Sequence, residues 1–306
     1  MRRLVWLTLA PLVAAFLTLC EVPAGAGPHA EPSCTGVTGA ATPRPGRAVW
    51  VWNQPRPAEL VRFARSHRVR EMYLWVPTEL AGTPRLAWVR RVAARTRGTQ
   101  IRLLALGGDK SWLDHPDTAL RWQAAALSTG LFTAAHVDFE PWQHRRWDTN
   151  KPAAIAGYLS VLSQLQAASE MPLEADIGFW LGGHDTAEGI CLDEAVMRRV
   201  DAVTVMTYRQ KVSGADSITS LGATALATAA RVGIPARLAV ETRYLGTGPI
   251  NRKQTFHGTS RAVVRRALEA VDAVEADAVA YAGMAVHDVA GWRALPRKGV
   301  GKFVTL

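Results

Sequence analysis

The 306-residue chain carries 36 Lys and Arg against 26 Asp and Glu, a formal charge of +10, and 48% of its residues are apolar. That suffices for one large domain or two small ones with a full core. The positive excess is arginine scattered through helical stretches, as at Arg90, Arg91, Arg198, Arg199, Arg265 and Arg266, a solvated outer face and not the basic stripe with interleaved aromatics that nucleic acid needs.

The chain opens with two arginines, an uncharged run over 4–19 and a small-residue site at Ala24-Gly25-Ala26. These are the parts of a secretory signal peptide, residues 1–26, which predicts an exported protein. A lipoprotein anchor at Cys20 is the weaker alternative. The run is short for a membrane span and no later segment approaches one. A Gly/Pro-rich lead-in follows over 27–46, and two cysteines, Cys34 and Cys191, remain in the exported chain. An even pair in an oxidising compartment predicts a disulfide between them. A monomer is expected.

From residue 47 to 306 short apolar runs alternate with amphipathic stretches. Strands are expected at 48–52, 71–76, 101–106, 135–139, 173–179, 202–208, 237–241 and 278–283. Between them, apolar residues recur at helical spacing, as in Leu60, Val61, Phe63 and Ala64, in Leu86, Val89, Val92 and Ala93, and across 152–169, 217–232 and 260–275, the last capped by Thr259 or Ser260. Trp88 and Trp122 fall within such stretches and read as core. Eight strand–helix units at this length predict an α/β fold, a single (β/α)₈ TIM barrel, with its active site at the C-terminal ends of the strands. No Gly-x-Gly-x-x-Gly follows the first strand and no Cys/His spacing reads as a zinc site, so no cofactor is expected.

Polar and aromatic residues gather at those strand ends: Trp52, Trp75, Asp109, Asp138, Glu140, Trp142, Trp180, Tyr208, Arg209, Glu241 and His287. Asp138 and Glu140 matter most. Side chains two apart in a strand share a face, and two adjacent carboxylates raise each other's cost of ionisation. A carboxylic acid held protonated beside a second carboxylate, within a rim of tryptophans, suits glycoside hydrolysis on a carbohydrate polymer. Glu241 reads equally well as an ion-pair partner of Arg209 or Arg243.

Three motifs resemble glycoside hydrolase family 18, the chitinase and endo-N-acetylglucosaminidase group. Ala105-Leu106-Gly107-Gly108 is similar to its Ser-x-Gly-Gly. Asp138-Phe139-Glu140 is similar to the end of its Asp-x-x-Asp-x-Asp-x-Glu, and Met206-Thr207-Tyr208 to its Met-x-Tyr-Asp. The resemblance implies Glu140 as general acid, Asp138 orienting the substrate's 2-acetamido group, and Tyr208 bonding the acetamido oxygen. Thr133 and His136 replace the two earlier aspartates, Arg209 replaces the aspartate after the tyrosine, and Val286, followed by His287, falls where a tryptophan floor is expected.

Other readings stay open. Phe139-Glu140-Pro141 also looks like the Asn-Glu-Pro of barrel glycosidases that pair Glu140 as acid/base with a nucleophile, here Glu241. A non-catalytic glycan-binding barrel would keep the tryptophans. A metal-dependent hydrolase would use His136, Asp138 and Glu140 as ligands, although a histidine at that depth is more often a satisfied core residue.

Overall fold

The computed structural model describes residues 46–297. The expected signal peptide, nearly all of the expected lead-in, Cys20, Cys34 and residues 298–306 lie outside the described residues. Among the described residues, eight parallel strands close into a barrel in chain order: β1 (Arg47–Val51), β2 (Val69–Trp75), β3 (Arg102–Gly107), β4 (Ala134–Val137), β5 (Leu173–Gly178), β6 (Ala202–Met206), β7 (Ala236–Glu241) and β8 (Tyr281–His287). The helices are α1 (Pro57–Ser66), α2 (Pro84–Thr96), α3 (Pro116–Leu127), α4 (Arg145–Thr149) and α5 (Lys151–Ala167), then α6 (Leu192–Met197), α7 (Ile218–Val232), α8 (Pro249–Gln254), α9 (Arg261–Val274) and α10 (Val289–Ala294). This is the expected (β/α)₈ barrel. None of these helices is long and apolar enough to cross a membrane.

The helices begin where the chemistry of orphan N–H groups says they should. Proline, which has no N–H to leave unsatisfied, opens α1, α2, α3, α5 and α8. Ser217 makes a reciprocal cap with Ser220 at α7, and Ser260, one of the two expected caps, accepts from the Val263 N–H at α9. Leu60, Val61, Phe63 and Ala64 of α1, and Leu86, Trp88, Val89 and Val92 of α2, turn their apolar faces onto the strands.

Strand alternation divides the molecule into two layers. Val49, Val51, Met72, Leu74, Leu103, Ala105, Ala135 and Val137 face the helices. Ala48, Trp50, Tyr73, Leu104, Leu106, Ala134, Ala239 and Ala285 fill the barrel interior. Its N-terminal end is closed by ions. Glu71 pairs with Arg102 (2.9 Å) and Arg237 (2.7 Å), and Arg102 reaches Glu174 (3.8 Å). Arg237 also donates to the carbonyl oxygens of Gly46 and Ala282.

β8 departs from expectation. The run 278–283 reads as a strand ended by Gly283, but the strand spans Tyr281–His287 and Val279 is 93% exposed. Gly283 lies inside it at φ +105°, which an L side chain rarely adopts. The register against β7 shifts at this point, from Ala236↔Tyr281 to Leu238↔Met284. The glycine marks a bulge, not an end.

Candidate active site

The deepest polar layer joins strands from across the barrel. Asp176 of β5 accepts from the Trp50 indole N–H of β1 (2.9 Å) and faces His136 Nε2 of β4 (2.9 Å). His136 Nδ1 faces Glu174 (3.4 Å), and its ring stacks on Tyr73 with centroids 3.6 Å apart. A neutral imidazole has one N–H. Two carboxylates facing its two nitrogens therefore hold His136 as the imidazolium. Burial acts against that charge, yet Asp176 and then Glu174 outweigh it and push the His136 pKa up to about 10. Both nitrogens of His136 are thus committed to Asp176 and Glu174, and neither faces Asp138 or Glu140. Among the described residues no group of three or more His, Cys, Asp or Glu is placed to hold a metal ion.

Asp138 and Glu140 sit just beyond β4. The strand ends at Val137 and not, as expected, at 139, because Pro141 has no N–H to pair and starts a one-turn 3₁₀ helix. Alternation nevertheless persists. The Asp138 N–H still bonds the Gly107 carbonyl (2.8 Å), and Phe139 turns outward against Trp112 and Tyr158. The two carboxyls therefore face the mouth together, hydrogen-bonded to one another. Glu140 also accepts from Gln143 and from Trp142.

The glycine pair after β3 makes this approach possible. A Cβ on Gly107 would lie 2.1 Å from the Trp122 ring, and one on Gly108 2.0 Å from the Asp138 carbonyl oxygen. Only a residue without a side chain lets the two loops come this close.

Both carboxyl pKa values are raised. Burial pushes Asp138 well up, helped by the charges of Asp176 and Glu140. Glu140 is raised by burial and then by Asp176, against the hydrogen bonds it accepts from Gln143 and Trp142. Repulsion between two carboxylates is reciprocal, so the Asp138 and Glu140 charges raise one another, and the two carboxyls titrate as a pair.

Tyr208 joins them. It packs with Trp52 and Trp75 above the inner layer, and burial, Glu241, Asp176, Asp138 and Glu140, in that order, push its pKa well above 10. Its hydroxyl is thus a neutral donor within the field of these acids.

Next to it runs a second polar chain. The Trp52 indole N–H donates to His287 Nε2 (2.8 Å), and His287 Nδ1 bonds Glu241 (2.7 Å). Glu241 raises the His287 pKa against burial, but indole only donates, so the Trp52 bond requires a bare Nε2 and a neutral ring. The other Glu241 oxygen accepts from the backbone N–H groups of Thr242 (2.7 Å) and Arg243 (2.6 Å). The expected pairing of Glu241 with Arg209 or Arg243 does not form. Arg243 pairs with Asp288 (3.0 Å) instead.

Other expected rim residues have local duties. Arg209 is buried, bonds Asp216 (2.7 Å) and the Tyr208 carbonyl (2.8 Å), and holds the loop after β6. Asp109 is exposed and caps its own 3₁₀ turn through the Ser111 N–H (2.7 Å). Trp75 is half-buried under the Arg85 guanidinium, 4.8 Å from its ring. Trp142 and Trp180 form an edge-to-face pair 5.4 Å apart, with Trp180 40% exposed. Cys191, the described member of the expected disulfide, is half-buried just before α6. A groove between α5 and the loop after β5, lined by Lys151, Ser163, His184, Glu188 and Arg199 among others, includes neither Asp138 nor Glu140 nor Glu241.

Sequence reasoning missed Asp176, Glu174 and Trp50 as site residues. The signal was present for two of them. Glu174 and Asp176 repeat in β5 the spacing that singles out Asp138 and Glu140.

No protein-family model and no curated protein sequence matches the chain. Solved structures do. The spore cortex-lytic enzyme SleL of Bacillus megaterium is 13% identical with a TM-score of 0.53, over 81% of this chain and 71% of that one. A chitinase from Chromobacterium violaceum is 11% identical with a TM-score of 0.52, over 82% and 97%. The GH18 chitinase ChiB of Flavobacterium johnsoniae is 13% identical with a TM-score of 0.50, over 81% and 89%. At such identities the likeness is one of fold.

Proposed function

We propose that the protein is an exported glycoside hydrolase acting on a glycan with 2-acetamido sugars, with Glu140 as general acid and Asp138 and Tyr208 assisting. One observation carries this reading. Asp138 Oδ1 is buried with no hydrogen-bond partner, in a carboxyl that lies beside that of Glu140 just beyond β4. A buried oxygen of this kind is costly unless a donor arrives. The N–H of an acetamido group is such a donor.

Its arrival favours ionised Asp138 and so leaves the pair's proton on Glu140. Substrate binding thereby loads the acid that protonates the leaving oxygen. Ionised Asp138 then orients the acetamido oxygen for attack on the anomeric carbon, and the Tyr208 hydroxyl donates to it. No enzyme nucleophile is needed. Glu241, bonded to His287 and two backbone N–H groups, stays outside this exchange. Fold neighbours that include chitinases and a spore cortex-lytic enzyme support a glycan as substrate.

The test is hydrolysis of N-acetylglucosamine oligomers. Glu140→Gln keeps the shape and removes the proton, so the rate should fall by roughly 10²–10⁴-fold while oligomer binding survives. Asp138→Asn should lower the rate as well. Undiminished hydrolysis by either variant would refute the assignment, and binding without turnover by the wild type would favour a glycan-binding barrel.

A further inference from the structure

Indole N–H groups in this chain meet two kinds of acceptor. Trp88 and Trp122, buried on α2 and α3, donate to the backbone carbonyls of Pro55 (2.8 Å) and Val76 (3.2 Å). No change of pH removes such an acceptor. Trp52 sits half-buried just past β1, where water suffices for its N–H. It donates instead to His287 Nε2 (2.8 Å), and the arrangement behind that ring is fixed. His287 Nδ1 bonds one Glu241 oxygen, and the other takes the N–H groups of Thr242 and Arg243. The His287 carbonyl accepts from the Thr242 N–H (2.6 Å) and hydroxyl (2.9 Å). The Trp52 carbonyl accepts from the Arg85 guanidinium (2.9 Å). Core filling needs no such anchorage for a half-exposed ring.

With its carbonyl and its N–H committed, Trp52 has the face of its indole left to offer. That ring lies close to the reacting groups, because His287 neighbours both Trp52 (centroids 6.1 Å apart) and Tyr208 (6.2 Å). We propose that Trp52 is the platform on which the mouth seats a pyranose ring, and that His287, braced by Glu241, is the positioning residue that fixes its plane. This rests on reading the mouth as a glycan site. An indole face offers broad apolar area to a sugar, and a ring already held in place loses less freedom when the sugar arrives.

The anchor depends on protonation. Only a bare Nε2 accepts an indole N–H, so imidazolium His287 keeps Glu241 and releases Trp52. The groups facing His287 are Glu241 from β7, Asp176 from β5, Trp50 from β1 edge-on at 5.5 Å, Tyr208 from the loop after β6 and Asp288, the next residue, which is paired with Arg243. The acids raise the His287 pKa above 6.5 against burial, and Tyr208 stays neutral. Trp52 is therefore fixed above the His287 pKa and loosened as pH falls through it.

Calorimetric binding of an N-acetylglucosamine tetramer to the slowed Glu140→Gln protein, with and without Trp52→Ala, tests this across about pH 5 to 9. The quantity read is the ratio of the two affinities, which cancels the titration of Asp138 that both proteins share. It should be about 3–10 at the alkaline end and shrink toward one in acid. Its midpoint should coincide with the joint ¹⁵N shifts of the His287 nitrogens and the Trp52 indole. His287→Gln puts an amide oxygen in reach of the indole at every pH, and in that background the ratio should hold its alkaline value throughout. An Nε2–H tautomer of His287 in alkaline wild-type protein would overturn the inference without any variant. So would a ratio of one at the alkaline end, or a ratio that shrinks equally in a folded His287→Gln protein, even where wild-type protein hydrolyses the tetramer. If the ratios follow the expected course but wild-type protein leaves the tetramer intact, the hydrolase reading fails while the platform stands.

Discussion

Gly108→Ala should damage the site and the fold together. The added Cβ would sit 2.0 Å from the Asp138 carbonyl oxygen and 2.3 Å from its carbon, at φ +150°. Real contacts of this kind are not shorter than 3.0 Å, so the backbone at Asp138 must retreat by at least about 1 Å. That backbone is itself tied to β3 through the Asp138 N–H to Gly107 bond, and it cannot yield without loosening the end of β4. Overpacking contributes about 1–3 kcal/mol of destabilisation and the left-handed backbone at a non-glycine residue about 1–3 more. For a domain of this size the melting temperature should fall by roughly 5–15 °C. A displacement of about 1 Å at a reacting group costs on the order of 10²-fold in rate. Differential scanning calorimetry with oligomer hydrolysis measures both. A variant with wild-type melting temperature and wild-type rate would refute the claim that this glycine exists to admit Asp138.

The His136 pKa, raised to about 10 from 6.5, stabilises the fold fully below pH 6.5, and the contribution is lost as pH rises toward 10. Urea unfolding at pH 6 and pH 9.5 should show that loss, and Asp176→Asn should flatten it; an equal slope in both proteins would contradict the ion pair. Glu241→Gln should slow hydrolysis by less than about 10²-fold, because a true nucleophile would cost about 10⁴-fold or more; azide rescue of a Glu241→Ala protein would restore the paired-glutamate mechanism. Mass spectrometry of secreted protein should find a start near Gly27 and, without reductant, a peptide joining Cys34 to Cys191. Retention of residues 4–19, or two alkylated cysteines, would refute each in turn.

What could be read from the chain was whatever repeats along it. Eight apolar runs with helical stretches between them foretell the barrel, and the parity of Asp138 and Glu140 foretells that both face its mouth. What could not be read depends on closure. Trp50 and Asp176 are 126 positions apart, and no local pattern says that an indole from β1 meets a carboxylate from β5 across the interior. The duties of Asp109 and Arg209 were hidden for the opposite reason. A polar residue at a strand end can serve either the mouth or its own loop, and only side-chain geometry separates the two.

The bulge at Gly283 works as a frame shift written into the backbone. Upstream of it, Tyr281 faces the helices opposite Ala236; downstream, Ala285 and His287 face the interior while Met284 and Val286 face the helices. Were the same residues to alternate regularly with no bulge between Tyr281 and Met284, every later side chain of β8 would change sides. Val286 would then project into the mouth, and His287, with its bonds to Trp52 and Glu241, would be buried among aliphatic groups. The bulge thus chooses between a greasy floor and a titratable one without altering either side chain. The identity of the group beside Tyr208 is in that sense encoded four residues before it, by a position that never touches the site.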